Sequence, residues 1–220
     1  AGCTALMQAL SAGHAEIAAK ILDTGVSADF VDCAGRSALF HAVLGAQVDG
    51  LNVIISRGGR VNMLDHEDRS PLYQGCLMGE PALVTCLLNA KADPNLAGRA
   101  SAMRAPPALR EDGEEDGEEG ESGARACLQE ARTCLQVCAA LAHNDLLLSM
   151  LEHKAEVNAA PGALGWTAIH LCAAVGNDVG AASLLSGGAS LDLEDMEGNT
   201  ARMLAERANQ AEVLARLLQA

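Results

Sequence analysis

The sequence predicts an all-α chain of stacked helix pairs, a solenoid rather than a globule with one central core. Three observations predict it. A short pattern starts at Gly2, Gly35, Asp68, Ala131, Gly165 and Gly198, at steps of 33, 33, 63, 34 and 33 residues, and a period of this length is the signature of a repeat array. Every copy places a Ser or Thr at the same phase, as a helix start requires. Half of the residues are hydrophobic but only 2% are aromatic. The core must therefore be built from Ala, Leu, Val, Ile, Met and Cys, which suits closely packed helices better than sheets.

The elements follow in order from this phase. Thr4, Ser37, Ser70, Thr133, Thr167 and Thr200 sit where a hydroxyl can satisfy an orphan backbone N–H of a first helix. Leu6, Leu39, Leu72, Leu135 and Ile169 come two residues later and point inward. Ala9, Ala42, Gly75, Cys138, Cys172 and Ala205 then share one position, and its alternation of Ala, Gly and Cys reports a volume limit rather than thiol chemistry. A second helix in each copy carries apolar pairs four residues apart, such as Ile17 with Ile21, Leu83 with Leu87, Leu146 with Met150 and Val213 with Leu217. Gly25, Gly58 and Gly188 end it in a left-handed conformation, and Lys91 and Lys154 take that place in the third and fourth copies, at about 1 kcal/mol each relative to Gly.

The period, the starts "TAIH" (167–170) and "SPLY" (70–73), and the endings "ADPN" (92–95) and "AEVN" (155–158) together resemble the ankyrin repeat. The resemblance implies helix-turn-helix units joined by short β-hairpin-like loops. It places repeats at about 2–34, 35–67, 68–98, 131–164, 165–197 and 198–220 of a single domain (1–220). The long step is one period plus an acidic, disordered insertion at 99–128. The resemblance fixes a fold and says little of a partner, because the fold hosts many unrelated ones.

No catalytic residue, metal ligand or cofactor site is expected. His170 and Cys172 look like a Cys/His pair, but His170 fills the histidine place of the repeat start and Cys172 the small packing position. Neither an orienting third group nor an oxyanion donor is recognisable beside them. The other copies have Met7, Phe40, Tyr73, Gln136 and Met203 in the histidine place, so its hydrogen-bonding role reads as largely lost. Cys127, Cys134, Cys138 and His143 lack the two tight Cys pairs of structural zinc sites. Gly-Lys phosphate loops, dinucleotide fingerprints and HExxH are missing from the sequence.

The net charge is −14, and "EDGEEDGEEGE" (111–121) carries eight of the carboxylates. This surface excludes nucleic acid as a natural partner and favours a basic protein segment. No apolar run is long enough for membrane insertion, and the oligomeric state is not legible. Cysteine spacing shows no secreted disulfide framework, which points to a reducing compartment, cytoplasm and/or nucleus. The chain starts with Ala, so it reads as a fragment of a larger protein. The insertion, with Pro106 and Pro107 and its Glu/Gly run, cannot offset chain entropy by burial. It stands either as a tolerated solvated loop or as an electrostatic lure for a basic partner.

These features describe a non-catalytic module that binds a partner peptide or helix on its concave face, within a larger scaffold or regulatory protein. The alternative is a substrate-recruiting domain of a ubiquitin ligase complex, or of a transcriptional or chromatin regulator that binds basic segments. The variable positions seven and eight residues after each N-cap supply Leu44, Leu77, Met78, Leu141, Ala174, Val175 and Arg207. They either line an apolar groove or turn inward against neighbouring helices. The loops add Arg36, His66, Arg69, Trp166 and Asn199. Trp166 serves as packing against the adjacent loop or as an interface anchor. Asn158 resembles the asparagines of such repeats that are hydroxylated, and equally a structural loop asparagine.

Overall fold

The structure is a computed structural model and describes residues 2–99 and 131–219. The chain divides into two compact units between Gly98 and Arg99. Apart from Arg99, the insertion expected at 99–128 lies outside the described residues, as does Cys127.

Unit 1 holds three helix pairs: α1 (Ala5–Ser11) with α2 (Ala15–Asp23), α3 (Ala38–Leu44) with α4 (Val48–Ser56), and α5 (Pro71–Met78) with α6 (Pro81–Asn89). The first helices α1, α3 and α5 pack in one row, and α2, α4 and α6 in a second. Unit 2 follows the same plan with α7 (Cys134–Ala140) and α8 (Asn144–Glu152), α9 (Ala168–Val175) and α10 (Asp178–Ser186), and α11 (Ala201–Arg207) and α12 (Ala211–Gln219). Among the described residues the strands are two-residue pieces, β1 (Gly98–Arg99) and β2 (Ala131–Arg132). Single antiparallel bridges, Val31 with Ser37 and Glu194 with Thr200, close two of the loops. The all-α repeat fold with short hairpin-like loops is the one the sequence predicts.

Local chemistry explains the helix starts. The hydroxyls of Thr4, Ser37, Ser70, Thr133 and Thr200 accept from the backbone N–H three residues on, worth about 1 kcal/mol each. Pro71 and Pro81 open α5 and α6, where a missing N–H costs nothing. Leu6, Leu39, Leu72, Leu135 and Ile169 are fully buried, as are Ala42, Cys138, Cys172 and Ala205 at the small position. Gly25, Gly58 and Gly188 end second helices with φ of 84°, 79° and 91°, and Lys91 and Lys154 adopt the same left-handed conformation at 63° and 62°.

One expected core pair is corrected. Leu83 with Leu87, Leu146 with Met150 and Val213 with Leu217 are buried, but Ile17 is 50% exposed and α2 buries Ala18 and Leu22 instead. The cause is position: α2 packs on α1 and α4, and Ile17 stands on its solvent side.

Candidate functional site

Three of the loops between pairs are built around a buried carboxylate. Asp32 Oδ1 accepts from the backbone N–H of Ala34 (2.8 Å) and Arg36 (2.9 Å). Asp65 Oδ1 does so from Glu67 and Arg69 (both 2.9 Å), and Asp195 Oδ1 from Glu197 (3.0 Å) and Asn199 (2.8 Å). Each turn is thus closed on its own aspartate. Sequence reasoning missed these residues, although "DCAGR" (32–36), "DHEDR" (65–69) and "DMEGN" (195–199) repeat the signal. Burial alone pushes the Asp32 carboxyl up. The N–H groups of Arg36 and Ala34, the His41 imidazole and the Arg36 charge outweigh it and hold the group below its ordinary range. Asp195 is likewise raised by burial but held low by the backbone and side chain of Asn199, the Glu197 N–H and the Trp166 indole.

This scaffold absorbs most of the loop residues expected to meet a partner. Arg69 makes a two-point contact with Asp65 Oδ2, at 2.9 Å from Nε and 2.7 Å from a terminal nitrogen, and pairs with Glu67 at 3.2 Å. Arg36 pairs with Asp32 at 3.3 Å. Trp166 is only 8% exposed and donates its indole N–H to Asp195 Oδ2 at 3.1 Å. Of its two expected roles, this geometry is the packing one. Asn199 is buried and donates to both Asp195 oxygens, so its side chain is not presented to a partner as expected. Arg207 donates to Asn199 Oδ1 at 3.0 Å yet stays exposed. His66 is also exposed, with its ring over Gly35 and its backbone N–H bonded to Ala34 O at 2.9 Å.

The first-helix ends supply the accessible apolar groups. In unit 1, Leu44 is 36% exposed and Leu77 and Met78 are half-buried. In unit 2, Leu141 is 38% exposed and Val175 half-buried. Ala174 does not join them: it is 1% exposed, because α9 runs on to Val175 and packs between α7 and α11, leaving a short methyl inside.

The residues that looked chemical are engaged in packing and loop contacts. His170 is buried, and its Nδ1 accepts from the Thr167 N–H at 3.2 Å and lies 2.8 Å from the Thr167 hydroxyl. Burial pushes its pKa down, against the opposing pull of the Asn199 and Leu193 backbones and the Asp195 charge. Burial also pushes the Cys172 thiol up to about 12, so it stays protonated at neutral pH and is no nucleophile. Gln136 corrects the expectation that the histidine place had lost its bonding. Its Oε1 accepts from the Thr133 N–H (2.9 Å), and its Nε2 donates to Ala159 O (3.0 Å) and Trp166 O (2.6 Å). Cys134 and Cys138 are buried in the core. Asn158 is exposed but engaged: its Nδ2 donates to Gly188 O at 3.3 Å, and its Oδ1 accepts from the Ser190 N–H at 2.9 Å.

Stacked helix pairs joined by short hairpin-like loops are what the resemblance to the ankyrin repeat implies, and known proteins agree. The family model of ankyrin repeats, in three copies, matches residues 6–98. The chain is similar to an ankyrin repeat domain from Acinetobacter baumannii AYE, with 21% identity and a TM-score of 0.79 over 97% of this chain and 96% of that one. It is also similar to a second solved ankyrin repeat protein, with 21% identity and a TM-score of 0.76 over 98% and 96% of the two chains. Residues 6–98 are thus ankyrin repeats, and the chain has the ankyrin-repeat fold. Ankyrin repeats are in general protein–protein interaction modules.

Proposed function

We propose that this chain is a non-catalytic binding module that seats a partner peptide or helix against its first-helix ends, within a larger scaffold or regulatory protein. The observation that carries this reading is the set Leu44, Leu77, Met78, Leu141 and Val175. These side chains reach solvent at the ends of first helices, next to loops in which Arg69, Trp166 and Asn199 are already committed to aspartates. Apolar groups held on a rigid frame lose little entropy when a partner covers them. Replacing Leu77 and Met78, or Leu141 and Val175, by Asp introduces charges that a complex would have to desolvate. Affinity for a partner captured by the native chain then falls at least tenfold, about 1.4 kcal/mol, with helical content unchanged. Unaltered affinity in both double variants moves binding elsewhere.

The net charge of −14 favours a basic partner. This supports the second reading, a recruiting domain of a ubiquitin ligase complex or of a transcriptional or chromatin regulator. If the acidic segment acts as a lure, deleting residues 104–124 slows association with a Lys/Arg-rich ligand at low ionic strength and not at high. The free thiols of Cys3, Cys33, Cys76, Cys86, Cys134, Cys138 and Cys172 support a cytoplasmic or nuclear setting.

A further inference from the structure

Of the three loop carboxylates, Asp32 is held differently from the others. Asp65 is gripped at two points by Arg69, and Asp195 takes an indole N–H and an amide. The Oδ2 of Asp32 faces the Nε2 of the buried His41 at 3.0 Å. Its ion pair with Arg36 is loose: the nearest nitrogen, Nε at 3.3 Å, makes no hydrogen bond. The place that Trp166 holds in its own copy belongs here to Cys3, an exposed free thiol. The Cys3 Sγ, an Asp32 oxygen and a His41 ring nitrogen all lie within 4.8 Å of one another.

We propose that Cys3, Asp32 and His41 form a binding site for a zinc-class divalent cation, with water as the fourth ligand. Thiolate, imidazole and carboxylate are the donors that suit such a borderline-soft ion. The geometry is close to that required. Nitrogen and oxygen ligands about 2.1 Å from a tetrahedral metal stand about 3.4 Å apart, and His41 and Asp32 are already at 3.0 Å. A sulfur ligand stands about 3.6 Å from them, and the Sγ of the solvent-exposed Cys3 lies within 4.8 Å of both. Asp32 keeps Oδ1 on the Ala34 and Arg36 N–H groups, so Oδ2 can serve the metal without opening the turn. A thiolate and a carboxylate neutralise the cation, and Arg36, whose side chain is 31% exposed, moves to water. Spacing along the chain could not show this set, because its members come from the start of the chain, a loop and α3. Bound metal would tie the start of the chain to the loop, so it would stabilise unit 1.

The test is a Co²⁺ titration of the reduced, metal-free chain, followed by Zn²⁺ displacement. The expected result is a near-ultraviolet thiolate-to-cobalt band saturating at one equivalent and abolished by Zn²⁺. Cys3→Ser removes the band and weakens Zn²⁺ binding roughly tenfold or more, while circular dichroism stays unchanged because Cys3 is exposed. Cys33→Ser keeps the band, and His41→Gln weakens binding as Cys3→Ser does. No band at one equivalent overturns the proposal. So does a band that survives Cys3→Ser, or one that is lost on Cys33→Ser but not on Cys3→Ser.

Discussion

In unit 1 the loop carboxylates face cations: Asp32 has Arg36 beside it and Asp65 is gripped by Arg69. In unit 2 the same turn is built on neutral donors, with Asp195 served by the Trp166 indole and the Asn199 amide. The backbone part of the motif is common to both, so it is what the fold needs. The remaining oxygen is free to vary, and each unit has solved its burial in its own way. A buried carboxylate is costly unless it is hydrogen-bonded or paired, and both solutions supply such partners. The single tryptophan, Trp166, lies in unit 2 and the single tyrosine, Tyr73, in unit 1. Their fluorescence therefore reports the two units separately in one sample.

The largest expected effect is Asp195→Ala. It strands the Trp166 N–H and the backbone N–H groups of Glu197 and Asn199, while the Asn199 amide keeps Glu197 Oε2. At the low end of about 1–3 kcal/mol for each of these three groups, the loss is about 3–5 kcal/mol, read by Trp166 fluorescence in urea. A cost below 1 kcal/mol would show that water can replace the carboxylate. Arg69→Gln is next. It leaves Asp65 buried without its cation, and charge-assisted bonds are worth about 1.5–3 kcal/mol. The Tyr73 transition should move and the Trp166 transition much less. Equal movement of both would mean that the two units do not unfold separately.

The loops also show what was legible in the sequence. The period, the N-caps, the small packing position and the left-handed lysines are local or periodic properties, and all reappear in the structure. Partner-facing side chains were harder. Asn199 read as a partner-facing loop residue, but its bonds to Asp195 bury it, and Trp166, read as packing or anchor, is held by the same carboxylate. Ala174 occupied a variable position yet fell inside because α9 is one residue longer than α7. Gln136 was read as a loss of hydrogen bonding, whereas an amide supplies both an acceptor and a donor, as a neutral imidazole does. The Trp166 and Gln136 contacts depend on neighbours about thirty residues away, which a repeat pattern does not encode.

A pH effect separates the units further. His170 is buried neutral with its pKa lowered below 6.5. In the unfolded chain it takes up a proton near 6.5, so acidification favours unfolding. The stabilisation is therefore complete above pH 6.5 and is lost as pH falls below it, by up to about 1.4 kcal/mol per pH unit. His170→Gln should flatten the Trp166-reported stability between pH 7 and 5.5, since Gln136 shows that an amide fits this place. A slope unchanged by the substitution would assign the effect to other groups. Asp32 and Asp195, held low, add stability that is present above about pH 4 and lost only in stronger acid.

The smallest effect concerns the left-handed helix ends. Lys91 and Lys154 stand at φ of 63° and 62° where other copies place glycine. A side chain there costs about 1–2 kcal/mol of strain. Glycine relieves that strain but loses more chain entropy on folding, about 0.5–1 kcal/mol. The net gain for Lys91→Gly or Lys154→Gly is therefore about 0.5–1 kcal/mol. Both lysines are exposed, so losing the side chain removes little packing. For a unit of this size the gain corresponds to a rise of about 2–6 °C in Tm, with Lys91→Gly moving the Tyr73 signal and Lys154→Gly the Trp166 signal. Asn is the informative second variant, because it tolerates the left-handed region without glycine's entropy. If Asn stabilises as much as Gly, the gain comes from relieved strain. If neither raises Tm, the lysines cost nothing, and the backbone of these two loops holds the turn whatever residue occupies it.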